Sequence, residues 1–323
     1  MKIGIIGAGA YGLALSIMFN ENTKDITMWT KHEEEKDYLQ KNKTSKLLDV
    51  KIPDNIKFTT SMEELVKDKD LIVIAVPGKY VNDISQALKP HYKKNQHLCI
   101  ASKGIEQGSC LFLNEVIKRH IKTKNIAVIS GGTFAVDMIK KVPMGLTLAT
   151  KSKATEDFLI KSLQNNYLKL RPTTDILGVE ICGAIKNVIA ISSGIIAGLG
   201  YPESTSCMLI TEAMHDIKNL IIALGGNKKT INSYAGIGDL MLTCTSIKSR
   251  NYTLGRLIGE NRPKKEIEEY IENTTIEGLY TLKSIYKLIK NKNVDMPIIN
   301  LIYDIVIRGK NPNYLATFLI TKK

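Results

Sequence analysis

The pattern of apolar and polar positions changes once along the chain, near residue 172. Before that point, short apolar runs rich in β-branched residues alternate with segments of helical periodicity, which predicts strands and helices in turn. The predicted strands are 2–6, 25–29, 56–59, 71–76, 97–101, 126–130, 144–149 and 167–171. Such alternation is typical of a doubly wound, mostly parallel sheet. We therefore predict an α/β domain over residues 1–174.

Beyond Pro172 no convincing strand follows, and the periodicity is helical. Helical runs are predicted at 175–200, 208–224, 264–271, 278–290 and 298–307. Since no polar or glycine-rich linker separates the two patterns, the domain boundary is expected between 171 and 175. The predicted fold is thus an N-terminal α/β domain followed by an all-α domain over 175–323.

The longest apolar run, 175–200, carries a single lysine, Lys186. A helix that is hydrophobic nearly all round lies inside a domain, and a buried lysine is costly unless it has a partner or a chemical role. Its neighbours on the same helical face are all small: Cys182, Gly183, Ala190 and Ser193. Such neighbours leave a shallow groove beside the ammonium. A lysine at a functional site and a lysine that snorkels to water both fit this pattern.

A glycine motif, GAGAYG at 7–12, stands between the first predicted strand and a helix. In this setting Gly7 permits a tight turn, Gly9 lets backbone approach a pyrophosphate, and Gly12 lets the helix pack on the strand. The motif alone is common, but the strand–turn–helix context favours dinucleotide binding over a plain glycine-rich turn. The α/β domain is therefore predicted to be a dinucleotide-binding Rossmann domain.

The end of the second predicted strand bears on the choice of dinucleotide. NAD-specific enzymes usually place Asp or Glu there to hold the ribose hydroxyls. This chain has Thr30, Lys31 and His32 instead. A basic pair suits the 2′-phosphate of NADP, although Lys31 and His32 also fit as exposed charges at a helix start. NADP(H) is favoured, and NAD(H) remains an alternative.

Two further loops follow predicted strands at the carboxyl edge of the sheet, where doubly wound proteins bind ligands. The first contains Lys103, just past the strand 97–101, and the second is Gly131-Gly132-Thr133-Phe134-Ala135. Lys103 is well placed to meet a ligand there. It also fits as an ordinary lysine in a surface turn.

The segment 234–252 of the helical domain carries a second group of polar residues. Asp239 and Thr243 lie one helical turn apart and share a face. Ser249, Arg250 and Asn251 open a predicted helix, and a guanidinium beside free backbone N–H groups makes an anion or phosphate site. The alternative is a simple Ser249 N-cap followed by an exposed arginine.

Composition excludes several classes of function. The net charge is +13, but 39 of the 45 basic residues are lysines spread along the chain, without the arginine and aromatic clusters of base readers. We therefore expect no nucleic-acid partner. The five cysteines form no CxxC pair, so we expect reduced core thiols, no metal site and a cytoplasmic protein. The early glycines argue against a signal peptide, and Glu180, Lys186 and Asn187 against a membrane span.

Taken together, these stretches resemble the bacterial type of NAD(P)-dependent glycerol-3-phosphate dehydrogenase over almost the whole chain. The similar segments are GAGAYGLA at 7–14, SKGIE at 102–106, SGGTFA at 130–135, GVEICGAIKNVIAISSGI at 178–195, GIGDLMLTCTS at 236–246, SRN at 249–251, IEG at 276–278 and DMP at 295–297. The first occurs in many dehydrogenases. The order of GVE…GAIKN before GDL…TCTS…SRN is specific to this family.

The resemblance implies a C-terminal domain like that of 6-phosphogluconate dehydrogenase, a homodimer, and reversible reduction of dihydroxyacetone phosphate to sn-glycerol 3-phosphate for phospholipid synthesis. It implies that Lys186 exchanges the proton at the C2 oxygen and is oriented by Asp239, with Lys103 as the third catalytic residue. The implied substrate-binding residues are Lys103, Gly131, Thr133, Lys186, Asp239, Thr243, Ser249, Arg250 and Asn251. The implied cofactor-binding residues are Gly7, Gly9, Ala10, Tyr11, Gly12, Lys31, His32, Lys103, Ala135, Arg250, Thr275 and Glu277.

The chain departs from the family pattern at a few positions. Gly132 stands where proline is usual, and Ser204, Glu212 and Ala213 replace asparagine, arginine and glycine. None of these changes touches Lys186. Two other functions are alternatives: a two-domain dehydrogenase of hydroxy acids, and a dinucleotide-binding sensor without catalysis.

Overall fold

The computed structural model describes residues 1–321 and divides into two compact units. The first comprises Met1–Lys103 and Leu113–Ile176; the second comprises Gly104–Phe112 and the described part of Leu177–Lys323. The predicted boundary at 174/175 placed 104–112 in the first domain, whereas here the segment belongs to the helical unit. The cause is burial, because Ile105, Cys110 and Phe112 lie in that unit's apolar core.

The first unit is built on one sheet. Its strands are β1 (Lys2–Ile6), β2 (Asp25–Trp29), β3 (Lys57–Thr59), β4 (Leu71–Ile74), β5 (His97–Ile100), β6 (Ile126–Ser130), β7 (Met144–Ala149) and β8 (Leu168–Thr173). The strand order is β3-β2-β1-β4-β5-β6-β7-β8. Only the β6–β7 pair is antiparallel among the described strands. The first six follow the nucleotide-binding order, which confirms the predicted fold class.

The strand sequences explain their positions in the sheet. β4 (LIVI) is buried at every residue, as expected of a central parallel strand covered on both faces. β8 lies at the edge, alternates buried with exposed residues over its first four positions, and contains Pro172. The predicted strand ended at 171, but β8 continues to Thr173, because an edge strand tolerates a residue that lacks an N–H donor.

Seven helices accompany the sheet: α1 (Ala10–Phe19), α2 (Glu33–Asn42), α3 (Met62–Val66), α4 (Val81–Leu88), α5 (Leu113–His120), α6 (Ala135–Met138) and α7 (Lys153–Leu163). α1 is buried over eight of its ten residues, and with β1 and β2 it contributes to the main apolar core of the unit. The carboxyl ends of β1 and β4 adjoin where the strand order reverses, which is the ligand-binding position in this architecture.

The second unit is helical: α8 (Ile176–Gly198), α9 (Glu203–Ala223), α10 (Asp239–Cys244), α11 (Arg250–Gly259), α12 (Lys264–Asn273), α13 (Glu277–Asn291), α14 (Pro297–Val306) and α15 (Tyr314–Thr321). α8 is long and apolar enough to cross a membrane by length and composition, but 83% of its most apolar window is buried inside the protein. The other helices cover it, so α8 is the core helix of this unit.

Candidate active site

The glycine loop, residues 7–12, runs from the end of β1 into the first turn of α1, and its three glycines have different roles. Gly7 has φ 113°, in the left-handed region that favours glycine, and its N–H donates to Trp29 O at 3.0 Å. A Cβ on Gly12 would lie 2.0 Å from Gly7 O, whereas a Cβ on Gly9 would meet nothing within 4 Å. No side chain caps α1, which starts at Ala10. The open cradle at Gly9, beside a helix N-terminus, fits a pyrophosphate.

Residues of two further loops lie at the same edge of the first unit. Tyr11 Oη and Thr133 Oγ1 share a hydrogen bond of 3.3 Å, which links the glycine loop to the loop after β6. Lys103 follows β5, and its Nζ donates to Gly131 O at 3.4 Å. Ala135 is the first residue of α6. The structure therefore brings Tyr11, Lys103, Gly131 and Thr133 together at the carboxyl ends of neighbouring strands.

The basic pair after β2 is exposed, while the acidic residues that follow it are engaged elsewhere. Thr30 Oγ1 donates to the Glu35 carboxylate. Hydrogen bonds from Lys36, and secondarily from Thr60, lower the pKa of Glu33 and hold it ionised. Within residues 1–321, Lys31 and His32 make no ion pair. Both side chains therefore lie exposed at the end of β2.

Lys186 lies in the middle of α8 and is half-buried among the helices around it. Its Nζ donates to Asp239 Oδ1 at 2.7 Å and to Thr243 Oγ1 at 2.9 Å. The Lys186 side chain is 12% exposed and that of Asp239 only 1%. The Thr243 hydroxyl hydrogen goes to Asp239 O at 2.6 Å, so its oxygen accepts from the ammonium. Lys186 therefore does not snorkel to water, because its ammonium is held by an internal carboxylate.

A kink before α10 aims Asp239 and Thr243 at Lys186. Residues Tyr234–Gly238 form a distorted turn in which Gly236 has the non-helical angles φ −85° and ψ −108°. A Cβ there would lie 2.1 Å from Ile231 O, so only glycine fits. Behind the cluster, Ser193 Oγ donates to Cys244 O at 2.7 Å, and burial raises the pKa of the Cys244 thiol, which stays protonated.

The Ser249–Arg250–Asn251 segment opens α11 as predicted. Ser249 Oγ accepts from Tyr252 N at 3.3 Å and so caps the helix. The first helical hydrogen bond comes from Thr253 N to Ser249 O, so the N–H groups of Arg250 and Asn251 face out of the helix end. Arg250 is exposed. Both the anion site and the plain N-cap remain compatible with this arrangement.

The side chain of Asn251 is buried and hydrogen-bonded within the protein, which the sequence did not indicate. It is 8% exposed; its Nδ2 donates to Asn187 Oδ1 at 3.0 Å and its Oδ1 accepts from Gly278 N at 2.9 Å. Asn187 Nδ2 in turn reaches Glu277 Oε2 at 3.5 Å, at the start of α13. Asn187, which sequence reasoning did not select, therefore joins α8, α11 and α13. Its position directly after Lys186 in an apolar run was the available signal.

The remaining predicted positions differ in burial. Thr275 is exposed, in the segment between α12 and α13. Of the positions that depart from the family pattern, Ser204 is exposed on α9, Glu212 is half-buried on the same helix, and Ala213 is fully buried. None of the hydrogen bonds that hold Lys186 to Asp239 and Thr243 involves them.

Comparison with known proteins decides the family. A model of the N-terminal domain of NAD-dependent glycerol-3-phosphate dehydrogenases matches residues 2–156, and a model of their C-terminal domain matches residues 175–317. The chain belongs to this family of dehydrogenases. Like other glycerol-3-phosphate dehydrogenases, it is an oxidoreductase that uses a nicotinamide dinucleotide. The predicted family is confirmed.

Individual relatives agree over the full length. A glycerol-3-phosphate dehydrogenase (NAD(P)+) of Fusobacterium nucleatum is 34% identical over 96% of this chain and 94% of its own. One of Thermoanaerobacter sp. is 35% identical over 100% and 97%. The crystal structure of glycerol-3-phosphate dehydrogenase from Coxiella burnetii superposes with a TM-score of 0.93 at 28% identity, covering 99% of each chain. The family of dehydrogenases therefore matches this chain in both units.

Proposed function

We propose that the protein catalyses the reversible reduction of dihydroxyacetone phosphate to sn-glycerol 3-phosphate, for glycerophospholipid synthesis. The single observation that carries the proposal is the Lys186 ammonium, held at 2.7 Å by Asp239 and at 2.9 Å by Thr243 within an apolar core helix. Family membership supports the same reaction, because the curated relatives are named for it.

Lys186 is proposed as the proton donor to the C2 oxygen and as the acceptor in reverse. When bound, the nicotinamide supplies the hydride to carbon. The alkoxide that would form on the substrate needs a proton at oxygen, which a positioned ammonium provides. Asp239 and Thr243 fix the orientation of that ammonium, and the buried carboxylate stabilises its charge. Asp239 and Thr243 are thus assigned to orienting the lysine and lining the substrate site.

The N-terminus of α11 is proposed to bind the substrate phosphate. Arg250 offers a guanidinium fork, and the outward N–H groups of Arg250 and Asn251 add donors at the positive end of the helix. Ser249 supports this end by capping it, and Asn251 by tying it to Asn187. We therefore propose that the Arg250 side chain binds the phosphate, whereas the side chain of Asn251 has a mainly structural part.

The glycine loop is proposed to hold the dinucleotide, with Gly9 facing the pyrophosphate. Lys31 and His32 are proposed to bind a 2′-phosphate, which makes NADPH the preferred cofactor and NADH the weaker one. Their support is the absence of an acidic side chain directly at the end of β2 and the engagement of Glu33 and Glu35 by neighbouring residues. Thr275 and Glu277 stay assigned to the cofactor by resemblance, as does Lys103 to substrate and cofactor.

The reaction is tested by following oxidation of NADPH and of NADH with dihydroxyacetone phosphate and with unphosphorylated dihydroxyacetone. Turnover that requires the phosphate group supports the proposal, because the phosphate is the group that the start of α11 is proposed to bind. Turnover with 2-keto acids instead would favour the hydroxy-acid reading. Tight NADPH binding without any turnover would favour the sensor reading.

A homodimer and a cytoplasmic location are further proposals that rest on the family resemblance. Sedimentation velocity at micromolar concentration measures the oligomeric state directly, and a monomer at that concentration would contradict the homodimer. Fractionation of cells that express the natural protein measures the second.

A further inference from the structure

Helices α8 and α11 touch along their backbones rather than through side chains. A Cβ on Gly194 would lie 2.0 Å from Tyr252 O, and a Cβ on Gly255 would lie 2.0 Å from Ile191 O. The same holds one turn further along each helix, where the added Cβ atoms would approach backbone oxygens to 2.4 and 2.3 Å. We call these four residues the glycine seam: Gly194 and Gly198 of α8, Gly255 and Gly259 of α11. No side chain fits there without moving a helix.

The contacts across the seam advance in step. Three pairs face each other in turn: Asn187 and Asn251, Ile191 and Gly255, Ile195 and Gly259. Every four-residue step along α8 is matched by a four-residue step along α11, so the helices run parallel in a single register. Lys186 and Arg250 stand one position before the first pair. The register therefore puts the lysine and the start of α11 at the same level.

We propose that the glycine seam is a specificity-determining spacer of the substrate site. On this proposal it sets the span between the Lys186 ammonium and the end of α11 that is proposed to bind the phosphate, and the substrate whose C2 oxygen and phosphate fit that span is dihydroxyacetone phosphate. Backbone contact is the stiffest means of setting such a distance, because no side-chain rotation can absorb a shift. The inference deepens the proposed function and rests on it.

Wild-type enzyme provides the first arm of the test. It is assayed with dihydroxyacetone phosphate and with 1,4-dihydroxybutan-2-one 4-phosphate, which carries one more methylene between ketone and phosphate. A rigid spacer predicts that kcat/KM for the longer substrate is lower by about 100-fold, since displacement by about 1 Å costs that much. Comparable turnover of both substrates would overturn the spacer. If dihydroxyacetone phosphate itself is not turned over, the proposed function fails and the spacer fails with it.

Variants provide the second arm. In Gly255→Ala the methyl must push α11 away from α8, so the longer substrate should gain on dihydroxyacetone phosphate by at least about 10-fold in kcat/KM. In the same variant, the preference for phosphorylated over unphosphorylated dihydroxyacetone should be lower than in the wild type by a similar factor. Arg256→Ala, on the same helix with an exposed side chain paired to Glu260, is the matched control and should leave both ratios unchanged.

Circular dichroism and NADPH binding establish that each variant is folded. A folded Gly255→Ala enzyme with wild-type ratios, or with an equal loss on all three substrates, would overturn the proposal. Gly259→Ala, one turn further from Asn251, repeats the test with an expected smaller change. If neither variant folds, the wild-type comparison decides.

Discussion

The two units hold their candidate functional residues by different means. In the first, Gly7, Gly9 and Gly12 lie within one six-residue segment. Gly7 has a positive φ, and a Cβ on Gly12 would lie 2.0 Å from Gly7 O, so local backbone geometry requires glycine at both positions. In the second, Lys186 meets partners 53 and 57 positions away, on another helix. A local motif tolerates change elsewhere in the chain, whereas a site assembled by packing depends on every helix that positions it. Substitutions in the local motif and in the packed site should therefore differ in their effects on binding, catalysis and stability.

The largest effect is expected at the packed site. Lys186→Ala should lower kcat by about 1,000-fold, within the range for a lost general acid. NADPH affinity should not change, because the glycine loop is untouched. The variant also leaves the buried Asp239 carboxylate without its ammonium, so the free energy of unfolding should fall by about 3 kcal/mol.

Steady-state kinetics and urea unfolding measure the two effects of Lys186→Ala separately. Lys283→Ala, at an exposed position of α13, is the matched control. A Lys186→Ala enzyme that keeps most of its kcat would remove the lysine from proton transfer, whatever its stability.

A smaller, substrate-dependent loss is expected at the end of α11. Arg250→Ala should lower kcat/KM for dihydroxyacetone phosphate by about 10- to 100-fold, the worth of a hydrogen bond to a charged group. The loss should appear mainly as a higher KM and should vanish with unphosphorylated dihydroxyacetone. Arg262→Ala, whose guanidinium pairs with Glu266 at the surface, is the control. An equal loss on both substrates would show that Arg250 does not read the phosphate.

Within the glycine loop, two substitutions should separate binding from folding. Gly12→Ala places a methyl 2.0 Å from Gly7 O and should lower the free energy of unfolding by about 2 kcal/mol. Gly9→Ala meets no atom within 4 Å and should keep the free energy of unfolding within about 0.5 kcal/mol, yet weaken NADPH binding by about 10-fold. Fluorescence titration and urea unfolding give both numbers. Unchanged NADPH affinity in Gly9→Ala would place the pyrophosphate elsewhere.

The smallest effect is expected at the basic pair after β2. Lys31→Gln/His32→Gln should reduce the preference for NADPH over NADH by about 10-fold, since two exposed partners of a phosphate are lost. The preference is measured as the ratio of kcat/KM values at constant ionic strength. Lys41→Gln, on the exposed face near the end of α2, is the control. Equal losses with both cofactors would show that the pair is not a 2′-phosphate site.

Several features followed from local pattern alone. The strand–glycine–helix unit at 7–12 and the buried apolar run of α8 are written in consecutive residues, so periodicity and glycine spacing were enough to find them. The helix start at Ser249 could also be predicted from the sequence, because an N-cap is formed by residues three positions apart. The extension of β8 through Pro172 was missed, since edge position is a property of the sheet.

Other features depended on how distant segments pack. Residues 104–112 could not be assigned from sequence, because their apolar side chains fit either core and only burial decides. The same holds for Asn187, whose amide acquires meaning only when Asn251 and Glu277 are brought beside it. Without those partners it reads as one polar residue in a core helix.

The sequence by itself determined the fold class, the glycine loop and the identity of the lysine at the centre of the second unit. Only the tertiary structure decided that Thr243 joins Asp239 in holding this lysine, and that glycines set the separation of α8 from α11. The physical reason is range. Propensity and periodicity act over a few residues, whereas a buried charge is stabilised by whichever group the completed core brings within hydrogen-bond distance.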